Sequence, residues 1–238
     1  MRFGVVVFPG TWSDCDFHYV IGEVLHQSVE YVWHRERDIS KFDCLILPGG
    51  FSYGDYLRAG AIAGRSPLVE VLPDFVDKGG LVLGSCNGFQ ILCEAGLLPG
   101  ALMRNECLQY RCQWTHVLVE NVETPFTRAC RPGQVLKMPI SHGEGRYYAD
   151  QTTLAQLKAQ NQIVFRYCTE TGEIVREANP NGAIENIAGV CNTDGAVLGL
   201  MPHPERASES QVGGTDGLVL FYSVLGSLVQ EGSFQASR

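Results

Sequence analysis

The sequence predicts an α/β fold with a mainly parallel central sheet flanked by helices and a smaller antiparallel portion. Up to Gly100, short apolar runs of strand length alternate with segments of helical periodicity, which is typical of parallel strands joined by crossover helices. One apolar run meets a glycine-framed turn at residues 84–88, and another helical segment follows directly. Beyond Gly100 the strands alternate apolar with polar residues, which indicates antiparallel pairing.

The parallel portion is predicted to contain four strands and three helices. We expect Asp16 to cap the first helix, since its carboxylate can accept a hydrogen bond from a free backbone N–H group. The second helix begins at Ser66-Pro67 and is expected to kink at Pro73. The strands are predicted at residues 4–8, 29–33, 44–47 and 81–83, the third helix at residues 89–95, and the apolar face of the first helix at Val20, Ile21, Val24 and Leu25.

The antiparallel portion begins with the alternating residues Val117, Val119 and Val122. A turn at residues 193–195 joins the last two strands as a hairpin. The further strands are predicted at residues 135–140, 163–167, 187–191 and 196–201, and a helix at residues 150–160 with Leu154 and Leu157 inside. A closing helix over residues 215–229 is expected to bury Leu218, Val219, Tyr222, Leu225 and Val229.

Composition narrows the possible functions. The chain has 238 residues, and its net charge of -8 disfavours binding to nucleic acid or to an anionic membrane. No apolar stretch reaches the roughly 20 residues that cross a bilayer. Nine irregularly spaced cysteines suit a reducing compartment, so we expect a cytoplasmic protein. Because we find no repeat, low-complexity segment or linker, residues 1–238 are expected to form one domain.

The glycine-framed turn has the pattern of a nucleophile elbow, with Cys86 between Gly84 and Gly88. Glycines on both sides relieve the collisions that a strained strand-to-helix turn creates. The thiol then faces the N-terminus of the following helix, whose dipole favours thiolate. The alternative, a buried structural cysteine, does not explain the two glycines.

A base for this cysteine is predicted at His203, which lies between two prolines that hold the backbone extended. Glu205 is placed to orient the imidazole, which gives a Cys–His–Glu triad; the alternative is a loop histidine beside a surface carboxylate. An oxyanion hole needs two converging N–H groups. Asn87 supplies the first, and the strand end at Gly49, Gly50 and Phe51 supplies the second or forms an ordinary tight turn.

These residues resemble the class I, triad-type glutamine amidotransferases, and among them the glutaminase subunits of phosphoribosylformylglycinamidine synthase. The superfamily resemblance rests on GSCNGFQ at residues 84–90 and PHPER at residues 202–206. The closer resemblance rests on PGGFSYGDYLR at residues 48–58 and ISHGEGRY at residues 140–147, and it extends over nearly the whole chain.

The resemblance implies a flavodoxin-like fold and a glutaminase reaction. Cys86 would attack the side-chain amide of L-glutamine, His203 would shuttle the proton and Glu205 would orient His203, so that ammonia leaves and a glutamyl thioester is hydrolysed. The oxyanion hole would be formed by Gly50 and Asn87. The residues implied in glutamine binding are Gly49, Phe51, Gln90, Ser141, His142 and Gly143.

The chain is expected to bind no cofactor, because it lacks a phosphate-binding glycine loop with lysine. The resemblance implies that ATP and Mg²⁺ bind a larger synthetase subunit, which installs the ammonia on formylglycinamide ribonucleotide in purine biosynthesis; a small bridging subunit is a further possible partner. We expect no metal site. Cys107, Cys112 and His116 form the one cluster with a hint of metal-ligand spacing in the sequence, but it lacks a close cysteine pair and an assigned fourth ligand.

Two other functions are compatible with parts of the pattern. A peptidase or stress-type protein of the same broader fold also uses an elbow cysteine, but such proteins usually place a histidine directly after it, where this chain has Asn87. An inactive regulatory subunit would be expected to lack Cys86, His203 or Glu205, and all three are present.

Overall fold

A nine-stranded sheet organises the computed structural model, which describes residues 1–235 of the backbone and the side chains of residues 1–226. The strands are β1 Arg2–Val7, β2 Ser28–Trp33, β3 Cys44–Leu47, β4 Leu81–Ser85, β5 Ala101–Met103, β6 Arg111–Val119, β7 Val135–His142, β8 Arg146–Tyr148, β9 Ile163–Cys168, β10 Ile187–Cys191 and β11 Val197–Leu200. The helices are α1 Asp14–Tyr19, α2 Pro67–Glu70, α3 Leu72–Asp77, α4 Asn87–Glu94, α5 Gln151–Ala159 and α6 Leu218–Gln235.

The strand order is β2-β1-β3-β4-β11-β10-β9-β6-β7. The first five strands are parallel neighbours, and the remaining pairs are antiparallel. Because only β10 and β6 run against the others, most of the sheet points one way. The predicted α/β class and its mixed sheet are confirmed.

The parallel order brings several strand ends to one edge of the sheet, as in other open α/β folds. β3 ends just before Gly49, β4 ends just before Cys86, and β11 ends three residues before His203. β7, the far strand of the sheet, runs on to His142. Most predicted site residues therefore lie on loops and strand ends at this edge, whereas Asn87 and Gln90 lie in the first turn of α4.

The first helix begins three residues earlier than predicted, at Asp14. Ser13, and not Asp16, occupies the N-cap, and its carbonyl accepts a hydrogen bond from the N–H group of Phe17. Asp16 lies inside α1, where it accepts two hydrogen bonds from the guanidinium of Arg206. The predicted kink in the second helix is present, because the helix divides into α2 and α3 at Val71.

The buried face of α6 differs from the prediction. Leu220, Phe221 and Val224 are buried, whereas Tyr222 is 52% exposed. Residues 218–222 are all apolar or aromatic, so their periodicity does not single out one face. Packing decides it, since the ring of Phe221 lies 6.1 Å from that of Phe17 in an edge contact. Leu218, Val219 and Leu225 pack at the margin of the core, and the side chain of Val229 lies outside the described residues.

A two-stranded antiparallel sheet of β5 and β8 was not predicted. Each strand has only three residues, which is too short for alternation to be informative. Tyr147 of β8 stacks on Phe89 of α4 and donates a hydrogen bond to the carbonyl of Pro99, at 2.7 Å. This small sheet therefore packs against the helix that follows Cys86. Val122 lies beyond the end of β6.

Among the described residues, no helix combines the length and the apolar character needed to cross a bilayer.

Candidate active site

Cys86 occupies a strained turn between β4 and α4. Its φ of 51° and ψ of -105° lie where residues with a side chain are uncommon. The turn is held because the N–H group of Cys86 donates to the carbonyl of Leu200, at 2.8 Å. A Cβ on Gly88 would lie 1.9 Å from the carbonyl oxygen of Leu47, and one on Gly84 would lie 2.7 Å from the carbonyl carbon of Gly88. Only glycine fits on either side of the cysteine.

His203 and Glu205 form a fully buried pair. Nδ1 of His203 lies 2.6 Å from Oε1 of Glu205, and both side chains are 0% exposed. Burial alone lowers the pKa of His203, but the Glu205 carboxylate and Cys86 outweigh burial and raise this pKa above its ordinary value, to about 10. His203 is therefore an imidazolium at neutral pH.

The cysteine and the imidazole converge beside Gly49. A Cβ placed on Gly49 would lie 2.6 Å from Cε1 of His203 and 3.4 Å from Cβ of Cys86. The other ring nitrogen, Nε2, is buried and has no hydrogen-bond partner among the described residues. Cys86 and the imidazole of His203 thus share one small space, which the absence of a side chain at Gly49 keeps open. Sγ of Cys86 also contacts the carbonyl of Ser141, at 3.6 Å.

Two backbone N–H groups at this site are free to donate. Within the described part of the chain, neither Gly50 nor Asn87 uses its N–H group in a hydrogen bond. The neighbouring N–H groups are occupied, since Gly49 donates to Oγ of Ser13 at 2.8 Å and Phe51 donates to the carbonyl of Gly10 at 2.9 Å. The free pair is the one predicted for the oxyanion hole, whose formation stays a prediction.

A cavity of about 170 Å³ opens beside Cys86. Gly49, Asn87, His203 and Glu205 are not part of its wall. The lining residues are Gly50, Phe51, Asp55, Cys86, Gln90, Tyr110, Ser141, His142, Gly143 and Glu144. The structure thus brings most of the residues implied in glutamine binding around one small cavity.

The amide of Gln90 links two walls of this cavity. Its Oε1 accepts a hydrogen bond from Nδ2 of Asn87 at 2.8 Å, and its Nε2 donates to the carbonyl of Glu144 at 2.7 Å. Oδ1 of Asn87 accepts a hydrogen bond from the N–H group of Ser52, at 3.2 Å. The start of α4 is therefore tied to the loops on both sides of the cavity.

His142 is part of the cavity wall, and its ring contacts two asparagine side chains. Nδ1 lies 3.2 Å from Oδ1 of Asn105, and Nε2 lies 3.5 Å from Nδ2 of Asn181. Burial, with the nearby charge of His203, lowers the pKa of His142 to about 3, so its ring is neutral at physiological pH.

Several supporting residues were not identified from the sequence. Tyr110 lines the cavity, and its hydroxyl lies 2.8 Å from Oγ of Ser141. Asn105 donates a hydrogen bond to the carbonyl of His142, at 2.9 Å. Neither residue has a local sequence signal, because its partner lies more than 30 positions away. Ser13 does have a local sequence signal, since a serine before a helix suggests an N-cap. Its hydroxyl does not cap the helix, however, but donates a hydrogen bond to the carbonyl of Gly49 and accepts one from the N–H group of Gly49.

No group of three or more histidine, cysteine, aspartate or glutamate side chains in the described part of the chain is arranged to hold a metal ion. Cys107 and Cys112 are both exposed.

Comparison with known proteins places the chain in a family. Residues 2–213 match the CobB/CobQ-like glutamine amidotransferase domain. Phosphoribosylformylglycinamidine synthase subunit PurQ of Moorella thermoacetica is 61% identical over 94% of this chain and 95% of its own length. The same-named protein of Koribacter versatilis is 56% identical over 97% of this chain and 100% of its own.

Solved structures agree with this relationship. A chain of PurLQS from Thermotoga maritima matches with a TM-score of 0.83 and 42% identity over 95% of this chain and 98% of that one. A protein from Thermoplasma acidophilum described as a putative GMP synthase subunit matches with a TM-score of 0.64 and 15% identity. The match covers 100% of this chain and 98% of that one, and it shows the shared fold alone. The chain belongs to the glutamine amidotransferase family, close to the PurQ subunits of phosphoribosylformylglycinamidine synthase.

Proposed function

We propose that the chain is the glutaminase subunit of phosphoribosylformylglycinamidine synthase, an enzyme of purine biosynthesis. It hydrolyses L-glutamine to glutamate and ammonia and delivers the ammonia to a larger synthetase subunit. The observation that carries this proposal is the buried imidazole of His203, which pairs with Glu205 and converges on Cys86 beside a cavity of amino-acid size.

The reaction begins when the thiolate of Cys86 attacks the side-chain carbonyl carbon of glutamine. The carbonyl oxygen becomes an oxyanion, and the N–H groups of Gly50 and Asn87 donate hydrogen bonds to it. His203 gives the proton on Nε2 to the amide nitrogen, which leaves as ammonia when the carbon–nitrogen bond breaks. A glutamyl thioester on Cys86 remains.

Hydrolysis completes the cycle through a second oxyanion at the same place. Neutral His203 takes a proton from water, the resulting hydroxide adds to the thioester carbon, and the carbon–sulfur bond breaks. Glutamate and the Cys86 thiolate are regenerated, and His203 is again an imidazolium. Throughout, Glu205 holds Nδ1 of His203, so that Nε2 stays directed toward the cysteine.

The partners follow from the chemistry and from the relatives. The names of the PurQ relatives and of the Thermotoga maritima PurLQS structure support a multi-subunit assembly. ATP and Mg²⁺ are assigned to the larger subunit, and a small bridging subunit is part of the proposed complex. Exposed apolar side chains close to the cavity support a covering partner, because a free surface rarely concentrates them. They are Phe51 and Tyr110 in the cavity wall, Tyr56 and Leu57 directly after Asp55, and Leu108, which lines a second pocket together with Leu57 and Asp55.

Affinity labelling tests the proposal. A chloroketone analogue of glutamine should alkylate Cys86, and excess L-glutamine should suppress this adduct. Cys15, Cys107 and Cys112 are exposed and serve as internal controls, because any reaction there should not respond to glutamine. Peptide mass spectrometry identifies each adduct. Labelling confined to the exposed cysteines, or Cys86 labelling that glutamine does not suppress, would contradict the proposal.

A further inference from the structure

Asp55 brings an unpaired carboxylate to the cavity of Cys86. Asp55 is part of the cavity wall, its Oδ1 is buried, and no described residue donates a hydrogen bond to this oxygen. The other carboxylate of the cavity differs, because Oε1 of Glu144 lies 3.5 Å from Nε of Arg104. Asp55 as a whole is half-buried, but a buried carboxylate oxygen without a hydrogen-bond partner is costly, which points to a ligand that donates to it.

The loop that carries Asp55 is strained and anchored. Tyr53, Gly54 and Asp55 have φ angles of 54°, 69° and 55°, which places three consecutive residues in the left-handed region. The hydroxyl of Tyr53 lies 3.3 Å from the ring of His34, and the N–H group of Tyr53 donates to the carbonyl of Pro9 at 2.7 Å. These contacts hold the carboxylate at the wall, in a conformation that a free loop would not favour.

We propose that the Asp55 carboxylate binds the α-ammonium group of glutamine and selects for the free amino acid. The proposal rests on the glutaminase function given above. When the amide of glutamine lies at Cys86, its ammonium group is at the other end of a short side chain and needs an anionic partner within the same small cavity. Asp55 is the carboxylate of the cavity wall that no described cation occupies.

The electrostatics of the cavity agree with a cationic ligand. Burial, together with the charge of Glu144, raises the pKa of Asp55 to about 6. Both effects disfavour the carboxylate form of Asp55. An ammonium group at hydrogen-bond distance stabilises the carboxylate and so offsets both effects.

The test compares glutamine with glutaric acid monoamide, which is glutamine with hydrogen in place of the α-ammonium group. Both are assayed by ammonia release in the reconstituted complex with the synthetase subunit. Asp55→Asn keeps the size of the side chain, and asparagine tolerates the left-handed conformation at this position. We expect this variant to lose about 10- to 100-fold in kcat/KM for glutamine and to keep its kcat/KM for the monoamide.

Glu144→Gln is the matched control, because it removes one negative charge from the same cavity while Asp55 stays. The control should retain the preference for glutamine over the monoamide. Equal losses for both substrates in Asp55→Asn, no loss for either, or the same collapse of preference in Glu144→Gln would overturn the assignment. A wild-type complex that hydrolyses no glutamine would instead overturn the glutaminase function, and the Asp55 assignment with it.

Discussion

Cys86 has a strained backbone and is also the nucleophile of the proposed mechanism. A left-handed φ at a residue with a side chain costs about 1–3 kcal/mol and persists only where the surroundings hold it. Here the hydrogen bond to Leu200 and the close packing of Gly88 on Leu47 provide that hold. The strained turn exposes the sulfur to the cavity and to the imidazole of His203, which an unstrained helix start would not do.

The roles of His203 and Glu205 can be separated by substitution. In the proposed mechanism only His203 transfers a proton, whereas Glu205 orients the ring and stabilises its positive charge. We expect Glu205→Gln to retain the fold and to lose about 100-fold less in kcat than His203→Ala. Steady-state glutaminase assays of the two variants, with circular dichroism as a check of folding, measure this difference. Equal losses would contradict the assigned roles.

His142 makes the stability of the protein sensitive to acid. Its pKa is lowered from about 6.5 in the unfolded chain to about 3 in the folded protein. Below pH 6.5 the unfolded chain therefore binds a proton at His142 that the folded protein does not bind. Stability is therefore lost as the pH falls. Between pH 7 and pH 5 we expect His142 to account for about 2 kcal/mol of this loss.

Urea unfolding of the wild type and of His142→Asn at the two pH values checks this expectation. The variant should lose less of its free energy of unfolding on acidification, whatever its stability at pH 7. His203 does not disturb the comparison, since its raised pKa adds stability that is complete below about pH 6.5 and is lost as the pH rises toward about 10. An identical loss in the two proteins would rule out a buried, neutral His142.

At the scale of elements, the site depends on how closely α4 approaches β3. Gly88 lies in the first turn of α4, and a methyl group there would overlap the backbone of Leu47. We expect Gly88→Ala to lower the free energy of unfolding by about 3 kcal/mol and to abolish glutaminase activity, because Cys86 would shift with the helix.

Gly226→Ala in α6 is the control for this substitution. It meets no atom within 4 Å, so it should leave stability unchanged or raise it by about 1 kcal/mol through helix propensity. Denaturant unfolding compares the two variants. A Gly88→Ala protein as stable as Gly226→Ala would show that the close approach of helix and strand is not required.

The sequence was most informative where local rules and tertiary packing agree. Buried parallel strands such as β3 are uniformly apolar, and the elbow places glycines where only glycine fits, so both could be predicted. The buried face of α6 could not be predicted, because neighbouring residues are all apolar and packing against Phe17 decides which of them are buried. Asn105 and Tyr110 support the cavity through distant partners, which sequence spacing does not reveal.

For the whole molecule, the exposed apolar side chains around the cavity indicate a chain that functions in contact with a partner. The cavity beside Cys86 is small, and Phe51 and Tyr110 are both part of its wall and about half exposed. Leu57, on the same loop as Asp55, is 85% exposed. A synthetase subunit seated on these side chains would bury them and receive ammonia close to where it is released.

The central claim is that Cys86 is the nucleophile of a glutaminase that feeds a separate synthetase. Cys86→Ala removes one sulfur from a turn that accepts small side chains, so the fold and the partner interface should survive while thioester formation becomes impossible. Circular dichroism and co-elution with the synthetase subunit verify folding and assembly of the variant before it is assayed.

The decisive measurement is amidination of formylglycinamide ribonucleotide by the reconstituted complex that contains Cys86→Ala. With glutamine as the nitrogen source, the rate should fall to background. With concentrated ammonium salt at alkaline pH, where free ammonia is abundant, the rate should stay near that of the unmodified complex. Retained glutamine-dependent activity would remove Cys86 as the nucleophile, and loss of both activities in an assembled complex would show that Cys86 has a structural role instead.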